Sequence, residues 1–185
     1  MVQDLGQAAR VEYCNGMGSP SSAALAAEGP TLVDRGFQLA YKCAYQLMRV
    51  YWTVRKPITN GALVAIWNQG EVLLVRNSYV KYYALPGGYL RRGETSQQAA
   101  LRELREEVGV SAKADELKLL VDETHGWEGK QDHVSIFELD VEQRPDVKVD
   151  HREVVEADWY TPERALKLNL FPPLRRAIER RAAGK

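Results

Sequence analysis

The sequence predicts an α/β fold, a mixed β-sheet sandwiched between helices as an α/β/α arrangement, with an amphipathic helix ahead of it. Three observations carry this expectation. Short apolar segments such as GALVAIWN, EVLLVRN and DHVSIFELDV stand between turn residues and read as strands. Apolar residues at three- and four-residue steps read as helices over 37–53 and again over 96–108. The two kinds of segment interleave along one chain, which favours helices layered on a sheet over a separate bundle. At 185 residues the chain is long enough for one domain with a real core and an added extension.

The elements follow in order. Residues 1–34 are expected to be a flexible N-terminal extension, because NGMGSPSSAALAAEGP is rich in small residues, Gly, Pro and Ser and has no sustained period. Met17 offers an alternative start, and no charged, apolar and cleavage regions succeed one another as in a signal peptide. Residues 35–57 are expected to be a helix and linker. In FQLAYKCAYQLMRVYW, the residues Phe37, Ala40, Tyr41, Ala44, Leu47, Met48 and Tyr51 form an apolar stripe, with Lys42, Gln46 and Arg49 on the other side. The stripe is read as docked on the chain's own domain. A homodimer interface is the alternative, and contact with a membrane surface is not expected despite the basic residues Arg35, Lys42, Arg49, Arg55 and Lys56.

The main domain is expected over 58–183. GALVAIWN and EVLLVRN, joined by Gln69-Gly70, make a β-hairpin, and YYALPGG is a third extended piece. Thr95 and Gln98 form a capping box for a helix reaching about Val108, where Gly109 is the expected stop. Strands near LKLLVDE and DHVSIFELDV follow, with THGWEGKQ as the loop between them, and EVVEADWY is a further extended segment. Thr161-Pro162 suits the start of a short helix, PERALKL, and Pro172-Pro173 breaks the chain before a last helix, LRRAIERR.

Composition removes several classes of function. Lys+Arg and Asp+Glu both number 25, so no global field draws nucleic acid, and no nucleic-acid partner is expected. Two cysteines are too few for a disulfide framework or a Cys-rich zinc site, which suggests a reduced, cytoplasmic setting. No apolar run approaches the roughly 18–20 residues needed to cross a bilayer. G-x4-G-K-[ST] is absent and LPGGYLRRG is not G-x-G-x-x-G, so kinase and hydride-transfer readings lack support.

The stretch RELREE, Arg102 to Glu107, carries the chemistry. On a helix, Glu103, Glu106 and Glu107 fall within about one third of the circumference. Like charges three or four residues apart cost roughly 0.2–0.5 kcal/mol per pair. Ala100, Leu101, Leu104 and Val108 occupy the opposite face and can pack under the sheet. Clustered carboxylates suit Mg²⁺ or Mn²⁺, hard cations that take oxygen ligands and keep positions for water and phosphate oxygens. Such an ion reverses the sign of the repulsion.

The wider window GYLRRGETSQQAALRELREEVGV has the form G-x5-E-x7-R-E-U-x-E-E-x-G-U, with U a bulky aliphatic residue. Gly88, Glu94, Arg102, Glu103, Leu104, Glu106, Glu107, Gly109 and Val110 fill all the defined places. Chance agreement is on the order of 10⁻⁹ per start position. This segment resembles the signature of the Nudix hydrolases, and the resemblance extends in pattern over about residues 58–172. It implies a Nudix-like α/β/α sandwich and a Mg²⁺- or Mn²⁺-dependent hydrolase. The expected reaction is cleavage of a diphosphate bond in a nucleoside diphosphate-linked substrate or nucleoside triphosphate, by in-line attack of metal-activated water. It also implies metal ligation by Glu106 and Glu107, with Glu103 as ligand or base, Arg102 orienting a glutamate, and Glu94 in support.

A base from a distal loop is the other arrangement known in the family, and Glu153 and Glu156 are the candidates, ahead of Asp122, Glu123 and His125. Arg76, Tyr83, Gly87, Gly88 and Trp127 are expected to contact substrate; Tyr82 and Trp67 are further aromatic candidates, Trp67 equally a core residue. Subfamily marks outside the box are missing. Thr124 and His125 stand where ADP-ribose hydrolases carry a proline, and Gly126 and Trp127 where dinucleoside polyphosphate enzymes carry a tyrosine. The SQPWPFPxS array of NADH pyrophosphatases is absent, and the coenzyme A motif is matched only in LLVR. The competing reading is a Nudix domain that binds a ligand as a sensor without turnover.

Overall fold

The computed structural model describes residues 29–183 apart from 148 and 150. The extension expected at 1–34 therefore lies almost wholly outside the described residues, as does Cys14. The first helix, α1 (Leu32–Arg55), starts earlier than its apolar stripe suggested. Thr31 and Asp34 form a capping box, the Thr31 hydroxyl accepting from the Asp34 N–H at 3.2 Å and Asp34 accepting from the Thr31 N–H at 3.0 Å. Lys56, in the left-handed region at φ 45°, ends it.

α1 docks on its own domain along one edge of the stripe. Tyr41, Ala44 and Met48 line a cavity against the domain, and Arg152 lies over the Phe37 ring at 4.8 Å. The contact extends to residues beside the stripe. Asp34 pairs with Arg152 at 2.9 Å, and the Gln38 amide donates to the His151 carbonyl at 2.7 Å. Tyr45 donates to Glu128, and Trp52 lies under Lys130, whose Nζ is 4.8 Å from the ring centroid. Polar partners on the domain thus widen the contact beyond the stripe to Asp34, Gln38 and Tyr45, which apolar periodicity does not register. Leu47 and Tyr51 of the stripe remain exposed, together with Leu32, Leu39, Val50 and Val54.

The strands are β1 (Ile58–Asn68), β2 (Glu71–Asn77), β3 (Gly87–Tyr89), β4 (Lys118–Trp127), β5 (Lys130–Asp140) and β6 (Val154–Tyr160). They form one sheet in the order β4-β5-β1-β2-β6, with β3 also paired to β1. The sheet is mixed, since β1 runs parallel to β5 and the other pairs are antiparallel. Gln69 and Gly70 both have positive φ, 49° and 82°, the backbone that suits a two-residue hairpin turn. Glu128 and Gly129 repeat this at 50° and 85°. THGWEGKQ is therefore not a loop: β4 runs to Trp127 and β5 starts at Lys130, because two residues with positive φ are enough to reverse the chain.

Alternation along β1 builds the two layers. Ala62, Val64 and Ile66 point to the face covered by α2 (Ser96–Glu103) and the turn after it, meeting Ala99, Ala100, Leu104 and Val108. Ala65 and Trp67 point to the other face, meeting Leu174, Ala177 and Ile178 of α4 (Pro172–Ala182). Each fully buried Leu or Ile is worth about 1.5–3 kcal/mol relative to exposure. Thr161 caps the short α3 (Pro162–Ala165) as expected. Pro172 and Pro173 do not precede the last helix but form its first turn, where a missing N–H costs nothing.

Candidate functional site

The site grows from the C-terminal end of α2. Thr95 caps the start, its hydroxyl accepting from Gln98 N–H at 3.2 Å while Gln98 accepts from Thr95 N–H at 2.9 Å. The last turn, Leu104–Val108, widens to π geometry, with Gly109 N–H donating to the Leu104 carbonyl. Gly109 closes it at φ 72°. Leu104 and Val108 stay buried, so Glu106 and Glu107 ride the outer side of a turn one residue wider than usual.

Arg102 organises the carboxylates. Only 10% of its side chain is exposed. Its Nε and Nη2 reach Glu94 at 2.8 and 3.0 Å, and its Nη1 reaches Glu103 at 2.5 Å and Glu106 at 3.3 Å. Arg91 adds a second cation to Glu106 at 3.2 Å. The Arg102 fork and the Arg91 N–H hold Glu94 down to about 2. Gly88 packs against Glu103 so closely that a Cβ there would lie 2.5 Å from its carboxylate. Gly87, at φ 148°, passes the Ala62 carbonyl with room for no side chain, and its N–H donates to Glu107 at 2.9 Å.

Glu107 titrates unlike an ordinary carboxylate. Loss of solvent pushes it up to about 7, and the negative charges of Glu103, Glu153 and Glu106 add to the push against the Gly87 hydrogen bond. This field is the one a divalent cation would relieve, and the carboxylate oxygens of Glu103, Glu106 and Glu107 are the donor type it takes. Among the described residues, no three acidic, His or Cys side chains converge on one point, since Arg91 and Arg102 hold Glu103 and Glu106. The donor chemistry fits a hard cation; the side chains stand in their salt-bridged arrangement.

The two distal glutamates part company. Glu153 shares a cavity wall with Gly87 and Gly88, accepts from the Tyr79 hydroxyl at 3.1 Å, and contributes to the field on Glu107. Glu156 belongs to another network. It accepts from Arg76 at 3.0 and 2.9 Å, from Tyr83 at 2.6 Å and from Tyr160 at 3.2 Å. Burial opposes its ionisation, yet Tyr83 and Arg76 hold it below the ordinary range. Arg76 and Tyr83 thus serve Glu156 and do not line the cavity. Asp122 pairs with His133 at 3.1 Å and Glu123 with Arg176, so both are engaged elsewhere. His125 packs against Phe171 with both ring nitrogens buried and without a partner among the described residues.

The cavity, about 410 Å³, lies between α1 and the sheet. Trp127 and Tyr82 line it as sequence allowed, whereas Trp67 is a core residue. Sequence reasoning missed Lys130 and Asp132, a buried pair at 2.9 Å. The signal was available: Lys130, Asp132 and Val134 alternate along β5, so the two charges share the inward face of an apolar strand.

Comparison with known proteins places the same domain in a family. Residues 57–181 match the family model described as the NUDIX domain. The chain is 32% identical over 123 residues to the NAD-capped RNA hydrolase NudC of Klebsiella pneumoniae, covering 63% of this chain and 45% of that protein. The chain spans less than half the length of the curated relatives it matches first. Among solved structures, the MutT protein of Methanosarcina mazei superposes with a TM-score of 0.59 at 24% identity, over 70% of this chain and 98% of that one. A NUDIX hydrolase of Nitrosomonas europaea superposes at 0.57 and 25% identity, over 69% and 90%.

Proposed function

This chain belongs to the Nudix family, and from that premise we propose that it hydrolyses a diphosphate bond in a nucleoside diphosphate-linked substrate or nucleoside triphosphate. The observation that carries the reading is the complete carboxylate frame, folded so that Arg102 orients Glu103 and Glu106 while the Gly87 N–H holds Glu107. Glu103, Glu106 and Glu107 would hold Mg²⁺ or Mn²⁺, which when bound neutralises phosphate charge and acidifies a water. Gly87 and Gly88 let the backbone pass beside the diphosphate. Glu153 accepts the proton of the attacking water, because it borders both the cavity and the carboxylates. The bond from phosphorus to the bridging oxygen breaks, and the bridging oxygen leaves with its electron pair on the departing phosphate. Glu156 keeps β2 and β6 together through Arg76.

Purified protein should be incubated with Mg²⁺ or Mn²⁺ and nucleoside triphosphates, nucleotide sugars, ADP-ribose, NADH and dinucleoside polyphosphates, with products separated by chromatography. Cleavage of at least one class is expected, lost by at least a hundredfold in Glu107→Gln, equivalent to about 2.7 kcal/mol of transition-state stabilisation. Full activity in Glu107→Gln overturns the assignment. Glu153→Gln should lower kcat by about 10²–10⁴, the usual weight of a general base. Glu156→Gln should leave kcat within about threefold while lowering the melting temperature.

A further inference from the structure

α1 does more than dock. Three separate latches hold it across the mouth of the cavity. At its start are the Asp34–Arg152 pair and the Gln38–His151 hydrogen bond. At its middle Tyr45 donates to Glu128, with Arg49 4.0 Å away. At its end Trp52 is buried beneath Lys130, and Gly129 sits so near Thr53 that a Cβ there would lie 3.0 Å from its backbone. One end of the helix therefore grips the segment that leads into Glu153, and the other grips the β4–β5 turn.

The wall this creates is aromatic and electrically quiet. Tyr45, Met48 and Trp52 of α1 face a cavity floored by Tyr82, Trp127 and Phe171. The floor rings pack on one another, with centroids 5.6 Å apart for Tyr82–Trp127 and 5.5 Å for Trp127–Phe171. The charges bordering the cavity near α1 are paired: Lys130 with Asp132, and Glu128 with Tyr45 and Arg49. Lys130 spends its three donors on Tyr89, Asp132 and Thr59 at 2.7, 2.9 and 3.3 Å. It is a strut, with no donor left for a phosphate. The indole N–H of Trp127 is buried and turned toward Tyr82, so the floor offers the slot ring surface rather than charge.

We propose that α1 is the specificity wall of the substrate cavity, closing an aromatic slot that receives an uncharged planar ring, the nucleobase of the substrate, while its diphosphate lies at Gly87 and Gly88. This rests on the hydrolase reading above and names the substrate feature that the same site selects. About 410 Å³ is at the small end of ligand pockets, roughly 300–1,000 Å³, and suits the nucleoside half of a substrate. Stacking on aromatic side chains is sequence-tolerant and strong enough to hold a base. A saturated sugar or an alkyl chain in the same slot would lack the flat π face that a base stacks on these rings.

Binding, read without turnover, tests this. Metal-free protein is titrated with adenosine, guanosine, cytidine and uridine 5′-monophosphates, and with ribose 5-phosphate and pyrophosphate, following tryptophan fluorescence and calorimetry. Ring-bearing ligands should bind at least tenfold tighter than ribose 5-phosphate. Met48→Trp and Ala44→Phe, which fill the slot from α1, should weaken them at least tenfold and raise KM with kcat within threefold. Glu156→Gln, whose partners lie off the cavity, should bind them as the wild type does, so a loss confined to the α1 variants marks the slot. In the unmodified protein, a ring-bearing ligand should also slow hydrogen exchange over residues 44–53, a readout that needs no variant to fold. Equal binding of ribose 5-phosphate and nucleotides, unchanged affinity in folded α1 variants, or no ring-dependent protection of 44–53 overturns the proposal, whether or not the protein hydrolyses a diphosphate.

Discussion

At Gly88 the distance to Glu103 leaves no room for even one methyl group. Gly88→Ala would place a Cβ 2.5 Å from the carboxylate, and the side chain nearest to yielding is the one Arg102 holds. The expected outcome is a kcat lowered at least tenfold with a melting temperature changed by a few degrees, measured on one preparation. Glu94 and Glu107 show how neighbouring carboxylates acquire opposite pH behaviour. Glu94 falls from 4.5 to about 2 on folding, so it contributes stability above pH 4.5 that is lost as the pH drops through about 2. Glu107 rises from 4.5 to about 7, so in metal-free protein it costs stability increasingly as the pH climbs from 4.5 through 7. Urea midpoints across pH 2–8 should therefore show Glu94→Gln losing part of the acid-side slope. Glu107→Gln should be more stable than wild type at pH 8 without metal. Equal stability at that pH would mean that solvent and counter-ions already satisfy Glu107.

The elements obey rules that could be read locally, with exceptions where partners intervene. α2 begins at Thr95 because a hydroxyl and an amide satisfy each other's backbone donors, and Thr95→Ala should cost about 0.5–2 kcal/mol in chemical denaturation. Leu104 lies beneath the same helix with no exposed surface, and Leu104→Ala should cost about 2–5 kcal/mol. The helix was legible to Val108, but its last turn is wider than a regular helix, and a pattern of three- and four-residue steps carries no mark of that. The β4–β5 hairpin was legible as two strands and misread in its middle. Glu128-Gly129 is a less familiar turn pair than Asn-Gly, yet both residues take positive φ. Gly129→Val should undock α1 as well as strain the turn, because the added carbons meet Thr53. Faster hydrogen exchange throughout residues 44–53 is the expected sign.

Across the whole molecule, the sequence by itself determined the layered α/β class, the capped helix and the identity of the carboxylates. These depend on residues within one or two turns of each other, where helical and strand periods dictate which side chains share a face. RELREE was an unfavourable charge pattern that made sense only as part of a 23-residue frame, and that frame is contiguous. Which distal glutamate borders the cavity could not be read from contiguous residues. Glu153 and Glu156 are three residues apart with the same chemistry, and the β2–β6 register, which sets Arg76 opposite Glu156, separates them. The cavity wall was equally hidden. Tyr45 and Glu128 are 83 residues apart, and neither looks unusual alone. Tertiary structure decided how far the contact of α1 reaches beyond its stripe, because hydrogen bonds and a cation over an aromatic ring are specific to their partners. Hydrophobic burial, the part that sequence periodicity records, is not directional.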